Sequence, residues 1–278
     1  MAMAPPRKPI DRASAALLAV VLLLGACATT PTGRRQLQFF PADQVAQMGE
    51  SAYGQLLKQE PTLPPEHPIG RYVQCVVDAL IAVVPPPEGG GEWDVTVFAG
   101  EQVNAFALPG GNIGVYAGLL RAARAPAQLA AVIGHEIAHV QAEHANARLS
   151  TQFAADAGLQ LIQVLGQGTA VESQTAMSLL GLGAQVGLLL PFSRAQESEA
   201  DILGLRYMAQ AGFDPRAAVT LWQNMAQVAG GQEVPTFLST HPSGAQRIET
   251  LNREIPRALE TWRRAQAEGR TPSCRPPA

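Results

Sequence analysis

Two histidines four residues apart, with a glutamate beside the first, stand at His135, Glu136 and His139 in this chain of 278 residues. They fall in a helical pattern that begins near Pro126 and includes Leu129, Val132, Ile133 and Val140. At about 100° per residue the two imidazoles lie about 40° apart on one face, with Glu136 about 60° beyond His139. Such a pair can bind one zinc ion, and the carboxylate can reach a water there. Zinc lowers the pKa of that water towards neutrality, and Glu136 can take its proton and later deliver it to a leaving amine. The motif alone is suggestive and needs a third ligand. The segment Ser193 to Asp201 supplies a candidate: on a helix Glu197 and Asp201 share a face, so Glu197 can bind the metal while Asp201 hydrogen-bonds the far nitrogen of a ligand histidine.

The remaining candidates are sorted by the same helical wheel. Glu199 lies about 200° from Glu197 and is read as a carboxylate at the surface or behind the ligands. His144, nine residues after His135, is about half a turn away and is expected to face away from the metal. His67 precedes Pro68 in a loop, with no partner at ligand spacing. No serine or cysteine nucleophile constellation competes with the zinc site.

The elements that must position these residues read as a single, mainly α-helical domain of the α+β class. Helices are expected over Ala42 to Gln59 and Pro68 to Val84, the latter ended by Pro85, Pro86 and Pro87. Trp93 to Phe98 reads as a strand, and Asn104 to Leu108 and Asn112 to Tyr116 flank Pro109, Gly110 and Gly111 as a hairpin. From Pro126 onward the chain reads as helical, with stops at Gly212 to Pro215 and at Gly230 and Gly231. Ser173 to Ser193 carries no charge and reads as a mobile apolar helix or loop near the active site or a membrane. Asn104, Ala105, Phe106 and Ala107 form a candidate edge for an extended polypeptide substrate, held by strand addition.

The composition is globular, with 47% apolar and 15% charged residues, and a net charge of −3 offers no basic field for nucleic acid. Arg7, Lys8 and Arg12 precede an apolar run, Ala13 to Leu24, too short to span a bilayer comfortably. Leu24, Gly25, Ala26 and Cys27 then look like a bacterial lipobox. Residues 1–26 are therefore expected to be a lipoprotein signal peptide, 27–40 a lipidated terminus and tether, and 41–278 the folded domain. Ala28 favours an outer-membrane lipoprotein facing the periplasm, in a cell with an outer membrane. An exported chain matures where disulfides persist, so Cys75 and Cys274 can pair or remain two independent thiols.

The His-Glu-x-x-His helix, followed by Ser-Arg-x-x-Glu-x-Glu-Ala-Asp, resembles peptidase family M48, here in a bacterial lipoprotein form. The run from Asn104 to Gly111 is similar to the family's hairpin before the catalytic helix. Gly212 to Pro215 matches a turn after the third-ligand helix, and Thr240, His241, Pro242 and Ser243 with Arg247 match a late motif. The resemblance implies a gluzincin-like metallopeptidase domain with one zinc ion per chain and Glu197 as third ligand. It also implies that His241 stabilises an oxyanion or blocks the metal at rest. Arg247 is expected to hold a substrate carbonyl, to orient His241, or to form a surface salt bridge. The function expected is an endopeptidase acting on unfolded or misassembled envelope proteins, with the envelope assembly machinery as a candidate partner. The alternative is an envelope chaperone or scaffold lipoprotein whose zinc site is latent or regulatory.

Overall fold

The computed structural model of the chain describes residues 27–167, 192–229, 236–241 and 245–277, except the side chains of 157–167 and 229. The expected leader, most of the charge-free stretch, the stop at Gly230 and Gly231, and Pro242 with Ser243 lie outside these residues. The elements run β1 (Cys27–Thr29), β2 (Arg35–Leu37), α1 (Ala42–Gln59), β3 (Thr62–Leu63), α2 (Pro68–Ile81), β4 (Asp94–Phe98), β5 (Ala105–Ala107) and β6 (Asn112–Tyr116). After a short 3-10 helix come α3 (Pro126–Gln141), α4 (His144–Gln167), α5 (Arg194–Gln210), α6 (Ala217–Ala229), α7 (Thr236–Thr240) and α8 (Ala245–Ala267). This is the mainly helical α+β architecture expected from the sequence. Among the described residues, no helix is long and apolar enough to cross a membrane.

Local chemistry explains where the elements begin and end. His67 caps α2 by accepting a hydrogen bond from the Ile69 amide at 3.2 Å, with Pro68 in the first turn, where its missing N–H costs nothing. The helix stops at Ile81, three residues short of the expected Val84, because prolines from 85 onward push the residues before them out of helical geometry. Ser193 opens α5 with a capping box. Its hydroxyl accepts from the Gln196 amide, and the Gln196 side chain accepts from the Ser193 amide at 3.0 Å.

Four strands form one sheet in the order β3-β4-β6-β5. β4 and β6 are parallel, and β5 returns antiparallel to β6 through a turn in which Gly110 and Gly111 have φ of +97° and +101°. Phe106 lies flat over Gly114, where any Cβ would meet its ring at 2.1 Å, and packs against Phe98 and Tyr116. The main core joins α2, the sheet, α3, α5, α6 and α8. Helix α3 is buried on every side from Gln128 to Gln141, as the centre of a larger domain requires. It crosses α5 at Gly134 and Gly204, where a Cβ on Gly204 would stand 2.7 Å from the His135 amide nitrogen. The missing side chains bring together the helix that carries His135 and His139 and the helix that carries Glu197.

Cys75 and Cys274 are disulfide-bonded, their Cα atoms 5.7 Å apart, which fastens the Pro-rich tail to α2. Residues 29–38 depart from the tether their polar composition suggests. β1 and β2 pair as a hairpin in which Thr30 and Gln36 are buried. Gln36 Nε2 donates to the Ala142 carbonyl at 2.7 Å, Asn146 donates to the Phe40 carbonyl at 2.8 Å, and Phe39 and Phe40 pack edge-on against Phe153. A tether would leave these groups in water, whereas here each has a partner on the folded domain.

Candidate metal centre

His135 and His139 project from the buried face of α3, and Glu197 meets them from the first turn of α5. His241, just beyond α7, completes a group whose four ligand atoms lie within 4.8 Å of one another. His135 Nε2 and His139 Nε2 are 3.0 Å apart; Glu197 Oε2 is 3.6 Å from the first and Oε1 3.5 Å from the second. Two nitrogens bound to one tetrahedral zinc would stand roughly 3.3 Å apart. All four side chains are buried. Burial alone would raise the Glu197 pKa, but its contacts with His139 and His241 and the nearby His135 and Arg247 outweigh it and hold the group ionised. Burial drives the His139 pKa well down, so its imidazole is neutral, as a metal ligand must be.

Each histidine is backed from behind. His135 Nδ1 lies 3.1 Å from Asp201 Oδ1, and Asp201 in turn accepts two hydrogen bonds from Arg247, at 2.8 and 2.6 Å. Arg247 is not the surface salt bridge that is one of the roles its position suggests. It is buried, stacks 3.6 Å over Trp222, and its Nη1 reaches Glu197 Oε2 at 2.5 Å, so it clamps two carboxylates behind the site. Burial opposes ionisation of Asp201, and the Arg247 guanidinium reverses that, keeping its pKa low.

His139 is backed by a residue expected to face away. The wheel that sends His144 to the far side assumes one continuous helix, but α3 ends at Gln141 and Glu143 turns left-handed at φ +50°. The chain reverses there and brings His144 back, its Nδ1 2.8 Å from His139 Nδ1 and its Nε2 3.2 Å from Glu199 Oε2. Glu199 is buried behind the ligands, not at the surface. Burial would raise its pKa, yet bonds from His144, Thr30, Thr32 and Arg34 bring it down to about 2.

The reacting face holds Glu136 and His241. Glu136 is buried, and its Oε1 has no hydrogen-bond partner among the described residues. Burial raises its pKa against the opposing charges of His241 and His135 and a hydrogen bond from the Ala107 amide. His241 Nδ1 lies 2.9 Å from Glu197 Oε1 and its Nε2 3.5 Å from Glu136 Oε1, with the ring stacked between Phe237 and Phe192.

The cavity in front measures about 460 Å³, and its lining includes Asn104, Ala105, Phe106, Ala107, Glu136, His139 and His241. Strand register explains how the edge meets it. Asn104 accepts from the Tyr116 amide and Leu108 donates to the Asn112 carbonyl, so alternate residues 104, 106 and 108 face β6. The amides and carbonyls of Ala105 and Ala107 therefore point away from the sheet, towards the cavity side.

The donor set fits a divalent cation on its own terms. With Nδ1 of each ligand histidine turned to a partner behind, two Nε2 lone pairs face each other across 3.0 Å beside an ionised carboxylate. That arrangement is repulsive until a positive charge lies among them. A sequence profile of Peptidase family M48 matches residues 70–255, two thirds of the chain. The chain belongs to peptidase family M48. The mitochondrial metalloendopeptidase OMA1 of Schizosaccharomyces pombe is 34% identical over 230 residues, covering 82% of this chain and 66% of that protein. The Arabidopsis thaliana protein of the same name is 42% identical over 184 residues, covering 66% and 36%. The beta-barrel assembly-enhancing protease of Yersinia pestis is 34% identical over 154 residues, covering 53% and 31%. The chain thus spans between about a third and two thirds of the length of these relatives. Metalloendopeptidase, the class expected from the motif, is the class named for the OMA1 relatives.

Sequence reasoning missed three contributors to the site: His144, Phe192 and Arg34. Phe192 stacks 3.8 Å from the His139 ring, between it and Arg148. Nothing local in the sequence marks it.

Proposed function

We propose that this chain is a zinc-dependent endopeptidase of the cell envelope that hydrolyses peptide bonds of unfolded or misassembled proteins. The observation that carries the reading is the convergence of His135, His139 and Glu197 beside a buried carboxylate, Glu136, which lines the cavity with one oxygen free of hydrogen bonds among the described residues. One zinc ion held by those three ligands would supply Lewis acidity, lowering the pKa of water and polarising a peptide carbonyl. Glu136 accepts the proton of the attacking water and delivers it to the leaving amine; its raised pKa suits a group that must both take and give. Ala105 and the Ala107 carbonyl align the substrate backbone as an added strand, a contact that reads little side-chain identity and suits unfolded chains. Asp201 and Arg247 keep the ligands in place.

A lipid on Cys27 would anchor the domain to the outer membrane on its periplasmic side. Cys27 is exposed, and it begins the hairpin directly, so little slack separates anchor from domain. The name of the Yersinia pestis relative favours the envelope assembly machinery as a setting.

His241 favours a second reading of the resting state. Its Nδ1 already sits at the fourth position of the ligand group, where it would block access to the cation. A latent enzyme predicts that His241→Ala raises proteolysis. If His241 instead donates to the developing oxyanion, the same variant loses activity. The function itself is tested by incubating purified wild type and Glu136→Gln with casein, with and without chelator. Loss of cleavage by about 10²-fold or more is expected in the variant, and equal cleavage by both proteins would refute the enzyme.

A further inference from the structure

The far nitrogen of His139 faces an imidazole, not a carboxylate, and proton bookkeeping shows what that contact does. Glu199 accepts hydrogen bonds from the Arg34 guanidinium and from the Thr30 and Thr32 hydroxyls, the pattern of a carboxylate that only accepts, so His144 Nε2 carries the proton that it donates to Glu199 Oε2 across 3.2 Å. A cation bound at His139 Nε2 leaves the proton of that ring on Nδ1, so His139 Nδ1 donates and His144 Nδ1, 2.8 Å away, accepts. His139 is left with its lone pair on Nε2, aimed at the ligand group. The tautomer of a ligand is thus set two residues back.

Glu199 is in turn held from outside the metallopeptidase core. Arg34 Nε donates to Glu199 Oε2 at 2.6 Å, while the hydroxyls of Thr30 and Thr32 both donate to Oε1. These three residues lie at the tip of the N-terminal hairpin, and Arg34 is oriented by Gln36, whose Oε1 accepts from its Nη2 at 2.6 Å. The same hairpin pins the reversal that aims His144. Gln36 Nε2 holds the Ala142 carbonyl and Gln38 Nε2 holds the carboxylate of Glu143, the left-handed residue itself.

We propose that His144 and Glu199 are positioning residues for His139, and that the N-terminal hairpin, through Thr30, Thr32 and Arg34, is an integral part of the metal centre. The inference rests on the metal reading of the site, and its test separates the two. Zinc affinity is measured on the full-length mature chain by competition with a chromogenic chelator, alongside thermal unfolding. Wild type is expected to retain one zinc, while Glu199→Gln and His144→Ala each weaken retention by about 10- to 100-fold. The double variant is expected to lose no more than either single, because both cut one connection. Arg34→Met changes a partly exposed residue and serves if Glu199→Gln does not fold; it should weaken retention several-fold, and Arg34→Lys should restore part of it. A merely structural role would lower the unfolding temperature and leave zinc affinity of the folded protein unchanged, and that result in Glu199→Gln or Arg34→Met overturns the proposal. A wild-type chain that holds no zinc would instead overturn the metal-centre reading, and this inference with it.

Discussion

His135 and His139 stand one turn apart on the same helix, yet the molecule secures them in unlike ways. His135 is backed directly by Asp201, whose oxygens are held by the fully enclosed Arg247 from α8. His139 is backed through a second imidazole, His144, by Glu199, whose oxygens are held by Arg34 and two threonines from the N-terminal hairpin. Both end in a carboxylate–arginine pair, and both carboxylates come from α5, two and four residues after Glu197. One helix therefore supplies a ligand and both supports. The difference lies in what each support depends on: the first is built from the family core, and the second from a segment that precedes residue 70, where the family match begins.

That contrast predicts an order of damage. Asp201→Ala should be the most severe change, because it strips the buried Arg247 of its main partner and releases His135 together. A loss of about 3–5 kcal/mol is expected from denaturant unfolding, with zinc retention reduced as well; a neutral outcome would remove the inner support from the account. Breaking the Cys75–Cys274 bridge by a double Ala substitution should cost about 2–4 kcal/mol. The bridge joins α2 to the C-terminal tail, neither of which contributes a residue to the two supports, so the folded variant should bind zinc as tightly as wild type. A zinc-binding defect there would mean that general loosening, not severed support, governs affinity.

The smallest effect concerns acid. Glu199 has its pKa lowered from the ordinary 4.5 to about 2, so the stability it contributes is fully present above its unfolded value and is lost as pH falls through its folded one. Thermal unfolding of wild type should therefore fall between about pH 5 and pH 2 more steeply than that of Glu199→Gln, which lacks this group. The difference should amount to about 1–3 kcal/mol, and parallel curves would show that the hairpin does not hold an ionised Glu199.

Much of this was legible in the sequence because it is local. His135, Glu136 and His139 share a helix, as do Glu197 and Asp201, and a constant 100° step places each of them. The hairpin of β5 and β6 announced itself by two glycines in a turn. Four features were hidden, each for a physical reason. His144 was lost because the chain reverses at Glu143, a left-handed residue that is neither glycine nor asparagine, with no proline nearby. Arg34 and the threonines were lost because a polar hairpin that packs by hydrogen bonds has the composition of a tether. Arg247 was legible as an important cation, but its partners lie 46 and 50 residues away and no periodicity connects them. Phe192 precedes α5 in a loop and gains its meaning only from the ring it covers.

The central claim is that three side chains from two crossing helices hold one divalent cation. Zinc-edge anomalous diffraction from crystals of the purified chain tests it most directly. The account predicts a single peak within about 2.0–2.2 Å of His135 Nε2, His139 Nε2 and a Glu197 oxygen. A peak elsewhere, or none from a chain loaded with zinc, would contradict it.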